Sequence, residues 1–132
     1  KFYSPHTRWG IHSTWRTNKY MLRLQRGVPT VWLNPQEADK RGIRDGDQVR
    51  VFNDIGDFQA MAKIMPSVQP GTLVTDHGWE PHQFRARKGM DAPIAGLLSP
   101  LELAGGWGHL KFGAEWDGNQ LAHESTVDIA KA

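Results

Sequence analysis

Residues 6–20, HTRWGIHSTWRTNKY, concentrate side chains that can bind a polar ligand and contain almost no aliphatic material. The imidazoles of His6 and His12 can donate hydrogen bonds to, or accept them from, the edge of a fused heterocycle. The hydroxyls of Ser13 and Thr14 can donate to a pyrophosphate, and the arginines of the same stretch supply positive charge and a planar stacking surface. The stretch therefore predicts a site for a bulky, phosphorylated heterocycle.

The charge distribution also favours an anionic ligand. Residues 1–26 contain six lysines and arginines and no acidic residue, whereas the whole 132-residue chain has a formal net charge of only +2. A block of one sign beside aromatic side chains attracts phosphate, nucleotide or nucleic acid. A solvated basic face, or a face that meets an acidic partner domain, explains the same pattern, so composition alone leaves these alternatives open.

Other site chemistries fit the sequence less well. His77 and His82 lie five residues apart, but this spacing matches neither a helical pair of zinc ligands nor a zinc knuckle. Ser13 follows His12, yet the chain contains no nucleophile-elbow motif and no glycine-rich nucleotide loop. The chain has no cysteine, which excludes disulfides, thiolate zinc sites and iron–sulfur ligation within it. We therefore predict no catalytic and no metal-ligating residue in this chain.

Regular elements are predicted between the polar stretches. Strands are predicted at 30–33, 48–54, 58–65, 72–76 and 125–131. The two at 48–54 and 58–65 alternate apolar and polar residues around a glycine-containing turn, which is typical of a β-hairpin. A two-turn helix is expected between Asn34, with Pro at the next position, and Gly42. The segment YMLRLQRG at 20–27 fits either a short helix or a strand.

The unusual residues are segregated from this scaffold. The loops at 4–20, 76–90 and 104–119 contain five of the six tryptophans and most of the histidines. Binding residues commonly lie on loops that a rigid scaffold carries. We therefore expect a mainly β fold with short helices, in which these loops form the ligand site. Single-stranded nucleic acid is an alternative ligand, because basic residues interleave with aromatic ones, although no RNA-binding signature occurs.

Three stretches together resemble one known family. They are SPHTRWGIHSTWRTN, then VWLNPQEADKRGIRDGDQVRVFNDIGDFQAMAKIMPSVQPG, then SPLELAGGWGHLKFGAEWDGN. They are similar to the C-terminal domain of molybdopterin-dinucleotide enzymes of the dimethyl sulfoxide reductase family, and the similarity covers nearly the whole chain. The first and third resemble the subgroup of ethylbenzene and dimethylsulfide dehydrogenases, of selenate, chlorate and perchlorate reductases, and of respiratory nitrate reductases. GGWGHL departs from the G-G-Y-x-Q pattern of nitrate reductases, which favours the hydrocarbon-dehydrogenase and oxyanion-reductase branch.

The resemblance implies a double-psi β-barrel that forms a single domain over residues 1–132, a C-terminal segment of a much larger catalytic subunit. It implies that this domain binds and orients a bis(molybdopterin guanine dinucleotide) cofactor with molybdenum in an oxidoreductase. Iron–sulfur clusters and the molybdenum ligand would belong to other parts of the enzyme. The expected partners are the other domains of the subunit, an iron–sulfur beta subunit and a haem-binding gamma subunit. The expected location is the periplasm, with no nucleic acid bound and no direct membrane insertion.

The resemblance also assigns site residues by motif. His6, His12 and His77 are expected to contact a pterin, Ser13 and Thr14 are expected on the phosphate side, and the last cofactor-facing loop contains GGWGHL. The complete set of expected cofactor-binding residues is His6, Trp9, Gly10, His12, Ser13, Thr14, Trp15, Arg16, His77, Gly106, Trp107 and His109. The alternative is a stand-alone β-barrel module that binds a nucleotide, a phospholigand or single-stranded nucleic acid without redox chemistry.

Overall fold

The computed structural model describes residues 1–94 and 125–132, which form a mainly β structure with short helices, as predicted. The strands are β1 (Phe2–Tyr3), β2 (Thr30–Leu33), β3 (Gln48–Phe52), β4 (Asp57–Ile64), β5 (Leu73–Val74) and β6 (Asp128–Lys131). The helices are α1 (Lys19–Arg23), α2 (Pro35–Lys40) and a 3₁₀ helix (Pro81–Gln83). Among these described residues, no helix has the length and apolar character needed to cross a membrane.

The strands form one mixed sheet in the order β1–β5–β2–β4–β3–β6. β3 and β4 are antiparallel, with Val49 opposite Ala60 and Val51 opposite Phe58, which confirms the predicted hairpin. β2 lies parallel to β4, and β1 lies parallel to β5. Within the described ranges the strand pairing does not close into a barrel, because β1 and β6 are the two edges of the sheet.

Alternating burial along the strands places the core on one face of the sheet. Val49 and Val51 of β3 are fully buried, whereas Arg50 between them is exposed. Successive side chains of a strand point to opposite faces, so this alternation separates a packed face from a solvated one. Phe58 of β4 packs against Phe2 of β1 with ring centroids 5.8 Å apart, which brings the edge strand onto the same core.

Both α-helices begin at an asparagine cap. The Asn34 side chain accepts a hydrogen bond from Gln36 N at 2.9 Å, and Pro35 occupies the first helical position, which confirms the predicted start of α2. Asn34 also donates from Nδ2 to Val68 O at 2.7 Å. The Asn18 side chain accepts a hydrogen bond from Tyr20 N at 3.0 Å and caps α1. The segment at 20–27, for which the sequence allowed a short helix or a strand, therefore begins as a helix.

The edge elements differ most from the sequence prediction. The strands expected at 72–76 and 125–131 are shorter, as Leu73–Val74 and Asp128–Lys131, and Phe2–Tyr3 was not predicted to be a strand. A strand of two residues has too little sequence to show a period, and its pairing depends on a partner about seventy positions away. These short elements nevertheless position the candidate site.

Replacing Asn34 by Ala tests the double role of this cap. Asn34→Ala is expected to lower the free energy of unfolding by about 2 kcal/mol, because it leaves a helix N–H and the Val68 carbonyl without their partner. Asn18→Ala is the matched control, since Asn18 caps a five-residue helix, and its expected loss is about 1 kcal/mol or less. Urea denaturation measures both, and equal losses would contradict the role assigned to the Val68 contact.

Candidate functional site

The parallel pairing of β1 and β5 places the residues that follow these two strands side by side. Beyond the strands, Thr75 N donates to Tyr3 O at 3.0 Å and His77 N donates to Pro5 O at 3.1 Å. These bonds extend the pairing by several residues past the sheet. As a result His77 lies next to His6, which is 71 positions earlier in the sequence.

Three of the histidines assigned by the sequence converge at this edge. The ring centroid of His6 lies 4.2 Å from that of His77 and 5.1 Å from that of His12, and His12 lies 5.1 Å from His77. One ring nitrogen of each residue lies within 4.8 Å of the other two. His6 and His12 are exposed and His77 is half-buried, so the cluster has an open side and an anchored side.

The hydrogen bonding of His77 determines which ring nitrogen is free. Its Nδ1 lies 3.4 Å from Ser4 O, and a carbonyl oxygen can only accept, so Nδ1 carries the proton and donates. Nε2 then offers a lone pair. This atom is buried and has no hydrogen-bond partner within the described part of the chain. An unpaired buried polar atom costs about 1–3 kcal/mol, so a ligand that donates a hydrogen bond here fits the site.

Arg16 fixes the loop that contains His6 and His12. Its guanidinium donates from one terminal nitrogen to His77 O at 2.7 Å and from the other to the Gln25 side-chain carbonyl. It also lies 4.0 Å above the ring of Trp79. The Gln83 side chain donates to Arg16 O at 2.7 Å. Arg16 is only 2% exposed, so within the described structure it is an internal clamp.

The clamp places the Arg16 cation against the His77 backbone, near the half-buried carboxyl of Asp76. Burial lowers the pKa of Arg16, and the nearby Asp76 opposes that shift, yet a guanidinium stays protonated in proteins. Burial raises the pKa of Asp76, against the attraction of Arg16 and Lys63. The positive charge of the guanidinium suits an anionic ligand nearby.

Gly78 allows the two histidine-bearing loops to approach each other. A Cβ atom at this position would lie 2.0 Å from His12 O, and the backbone φ is +89°, a conformation that favours glycine. His12 itself has a φ of +49°, which is uncommon for a residue with a side chain. The contact between Gly78 and His12 therefore keeps His12 beside His77.

The other assigned residues of the first loop lie around the cluster. Ser13, Thr14 and Trp15 are exposed, with Trp15 58% accessible, so their side chains are free to meet a ligand. Gly10 is close to the Thr14 carbonyl, from which an added Cβ would lie 2.9 Å away. The loop is thus compact, although its polar side chains point outward.

Trp9 is not grouped with the histidines. It is 40% exposed, and its ring lies 5.3 Å from the Arg8 guanidinium carbon. It lines a neighbouring cavity of about 320 Å³ together with Trp32 and Trp79. The structure therefore separates a tryptophan-lined cavity from the histidine cluster. Gly106, Trp107 and His109 lie outside the described residues.

The spacing of the residues did not reveal the grouping of His77 with the first loop, which only the family resemblance assigned. Sequence reasoning compared His77 with His82, whereas His82 lies in the 3₁₀ helix and His77 contacts His6 and His12. It also missed Gln25, Gln83 and Gly78 as supports. No local signal marks these residues, because the Arg16 contact to His77 spans 61 positions.

Because the loops approach closely at Gly78, replacing this glycine by alanine is expected to cause a steric clash. Gly71→Ala is the matched control, because Gly71 has a φ of +77° but no atom within 4 Å of an added Cβ. The control is expected to cost about 1 kcal/mol of stability through backbone strain alone. Gly78→Ala is expected to cost about 2 kcal/mol more, because the clash forces the loops apart. Denaturation curves measure both, and an equal loss would show that the loops do not touch as described.

The raised pKa of Asp76 predicts a pH dependence of stability. The folded protein binds more protons than the unfolded chain between the two pKa values of this group. Its contribution is therefore most favourable below about pH 3.9 and is lost as the pH rises through the folded pKa. Asp76→Asn is expected to exceed the unaltered chain in stability at pH 7 and to lose that advantage towards pH 4, as measured by melting temperature.

Asp57 provides a control of opposite sign. Hydrogen bonds from Lys88 and Arg50 lower the pKa of its carboxyl, so its contribution is present at neutral pH and fades in acid. Asp57→Asn is expected to be less stable than the unaltered chain at pH 7, with the difference shrinking as the pH falls. If both variants respond in the same direction, the assignment for Asp76 is wrong.

Comparison with known proteins identifies relatives of the whole chain. The family model described as Molydopterin dinucleotide binding domain matches residues 1–131. Dimethylsulfide dehydrogenase subunit alpha of Rhodovulum sulfidophilum is 60% identical over 99% of this chain and 14% of its own length. Chlorate reductase subunit alpha of Ideonella dechloratans is 45% identical over 98% of this chain and 14% of its own length. Respiratory nitrate reductase subunit alpha of Haloferax mediterranei is 39% identical, again over 14% of its length.

A solved structure shares the fold. Acetylene hydratase from Pelobacter acetylenicus superposes with a TM-score of 0.67 over 99% of this chain and 18% of that chain. Its sequence identity is 11%, so this likeness concerns the fold alone. The chain thus spans about 14% of the curated relatives named above. The match of the family model and the identities to these alpha subunits confirm the resemblance noted in the sequence: the chain belongs to the Molydopterin dinucleotide binding domain family.

Proposed function

We propose that this chain binds and orients a bis(molybdopterin guanine dinucleotide) cofactor within the catalytic alpha subunit of a molybdenum oxidoreductase. The observation that carries the proposal is the buried, unpartnered Nε2 of His77, a residue whose ring lies beside those of His6 and His12. Membership of the family supports the class of ligand. The histidine cluster supports the place where its pterin edge would bind.

The cluster suits the edge of a pterin because its hydrogen-bonding capacity is varied. His77 Nε2 accepts, since its Nδ1 is engaged with Ser4 O. His6 and His12 are exposed, so each can present either a donor or an acceptor nitrogen. A fused heterocycle that carries both N–H groups and carbonyl or ring-nitrogen acceptors would satisfy such a set.

The first loop suits the phosphate side of the cofactor. The exposed hydroxyls of Ser13 and Thr14 can donate to a pyrophosphate. The buried Arg16 adds positive potential without occupying the ligand space, because its terminal nitrogens bind Gln25 and the His77 carbonyl. Arg16 is therefore proposed as a positioning residue that also favours an anion electrostatically.

The bound cofactor supplies electron-pair and oxygen-atom transfer at its molybdenum, which side chains of this domain do not perform. The residues of this chain bind the organic part of the group, orient it and contribute hydrogen bonds and positive charge. Such outer contacts tune the electronic properties of a metal centre. No residue of the chain is assigned a proton-transfer role.

The wider assignments belong to the same proposal. The parent enzyme is proposed to be a hydrocarbon dehydrogenase or an oxyanion reductase, supported by 60% and 45% identity to a dimethylsulfide dehydrogenase and a chlorate reductase subunit. We also propose iron–sulfur clusters elsewhere in that enzyme, an iron–sulfur beta subunit, a haem-binding gamma subunit and a periplasmic location. These rest on the resemblance to the subgroup.

The single domain over residues 1–132 and its double-psi β-barrel are likewise proposed. One contact supports barrel closure: Phe2 N donates to Ser125 O at 3.1 Å. Phe2 belongs to β1 at one edge of the sheet, and Ser125 lies in the segment that leads into β6 at the other edge, so this bond links β1 to that segment.

Metal and nucleotide analysis of the longer natural subunit tests the proposal directly. About one molybdenum, measured by mass spectrometry, and about two guanine nucleotides released by acid are expected per subunit, as a bis(dinucleotide) cofactor requires. A folded, active protein that contains neither would overturn the proposal. That result would favour the alternative, a module that binds a nucleotide, phospholigand or single-stranded nucleic acid without redox chemistry.

Replacing His77 tests the residue that carries the proposal. His77→Ala in the longer subunit is expected to weaken cofactor retention by roughly 5- to 150-fold, the equivalent of a lost buried hydrogen bond of about 1–3 kcal/mol. His82→Ala is the control, because His82 is exposed in the 3₁₀ helix and outside the cluster. Molybdenum content after dialysis measures the effect. Full retention by a folded His77→Ala protein would contradict the assignment.

A further inference from the structure

We propose that the imidazoles of His6, His12 and His77 form a binding site for a divalent transition-metal ion of the zinc class when no cofactor is bound. One ring nitrogen of each residue lies within 4.8 Å of the other two. No sequence motif predicts this site, because its ligands come from two segments that the fold brings together. The proposal concerns a second kind of ligand at these side chains and does not depend on the proposed function.

The cluster is close to the geometry that a tetrahedral metal requires. With Zn–N bonds of about 2.0–2.1 Å, two nitrogens of a tetrahedral site are about 3.3 Å apart. The observed spacing of up to 4.8 Å therefore has to contract by roughly 1.5 Å. His6 and His12 are exposed, so rotation of their side chains can supply this movement without disturbing the core.

His77 already has the arrangement of a metal-binding histidine. Such residues usually donate their second ring N–H to a carboxylate, a backbone carbonyl or water, which fixes the tautomer and ring orientation. The contact between His77 Nδ1 and Ser4 O, at 3.4 Å, has this form. The opposite nitrogen, Nε2, is buried and has no hydrogen-bond partner in the described part of the chain. The lone pair of this nitrogen is therefore available to coordinate a metal ion.

The donor set determines the class of metal. Three neutral imidazoles suit Zn²⁺, Co²⁺, Ni²⁺ and Cu²⁺, whereas Mg²⁺ and Ca²⁺ prefer oxygen ligands. Three protein ligands leave the fourth tetrahedral position open to water or to an anion. The buried Arg16 opposes a cation nearby, so we expect weaker binding than at a structural zinc site with four protein ligands.

A metal at this site would compete with the cofactor, a consequence that rests on the proposed function. The same Nε2 of His77 cannot bind a metal and accept a hydrogen bond from a pterin at once. Zinc would therefore occupy the cluster only before cofactor insertion or after cofactor loss. The test below contains no cofactor, so its failure is distinguishable from failure of the proposed function.

Cobalt titration of the cofactor-free 132-residue chain tests the metal site. Co²⁺ replaces Zn²⁺ in nitrogen sites and gives visible absorption bands when it is four-coordinate. The unaltered chain is expected to show these bands with saturation at a single ion, and added Zn²⁺ is expected to abolish them. Near-ultraviolet circular dichroism establishes that each protein is folded. The same titration on the cofactor-free longer subunit decides the question if the short chain does not fold.

Alanine variants identify the ligands. His6→Ala, His12→Ala and His77→Ala are each expected to weaken cobalt binding by about tenfold or more, since even outer-shell changes cost 10–100-fold. His82→Ala is the matched control and is expected to leave binding unchanged. A folded, unaltered protein without the visible bands would overturn the proposal. Equal binding by the three cluster variants and the control would overturn it as well.

Discussion

The burial of the Arg16 guanidinium is the constraint on which the candidate site depends. A guanidinium cannot shed its proton to avoid the cost of desolvation, so its charge must be met by partners inside the protein. The contacts of Arg16 are the Gln25 side chain, the His77 carbonyl and the face of Trp79, which come from two segments, one after α1 and one after β5. The contacts of this one cation therefore tie the polar first loop to Gln25, just after the end of α1, and to the chain after β5. This explains how a loop with almost no aliphatic residues is held in place.

The parts of the fold that sequence predicts are those whose signals are local. The hairpin of β3 and β4 and the capped helix α2 each carry their pattern within a few consecutive residues. The pairing of β1 with β5 has no such pattern, because each strand has two residues and the contact is parallel and distant. The histidine cluster is hard to predict for the same reason. His6 and His12 are six positions apart in one loop, but only the β1–β5 pairing brings His77 next to them. The family resemblance, rather than spacing, pointed to His77.

A sequence also does not show whether an arginine contacts a ligand directly or supports the loop that binds the ligand. Arg16 was expected among the cofactor-binding residues, and its type and neighbours are consistent with that. Its side chain is instead engaged with Gln25 and Trp79, a property of tertiary packing that no local pattern encodes. Direct contact between Arg16 and a cofactor stays a prediction. Ser13 and Thr14 show the converse, because their exposure agrees with a ligand-facing role.

Hydrogen bonding to the ligand and positive charge come from different residues in this arrangement. A single arginine on the surface would have to supply both. In the proposed site the ligand-facing atoms are imidazole nitrogens, which can distinguish donors from acceptors on a heterocycle and so give specificity. The positive charge lies behind them in Arg16, where burial limits screening by salt and its field still reaches an anion. Because His77 contacts Arg16 through its carbonyl and Ser4 O through Nδ1, both its backbone and its ring are held before any ligand arrives. Residues held in this way lose little conformational freedom on binding, and the resulting gain in affinity requires no additional contact.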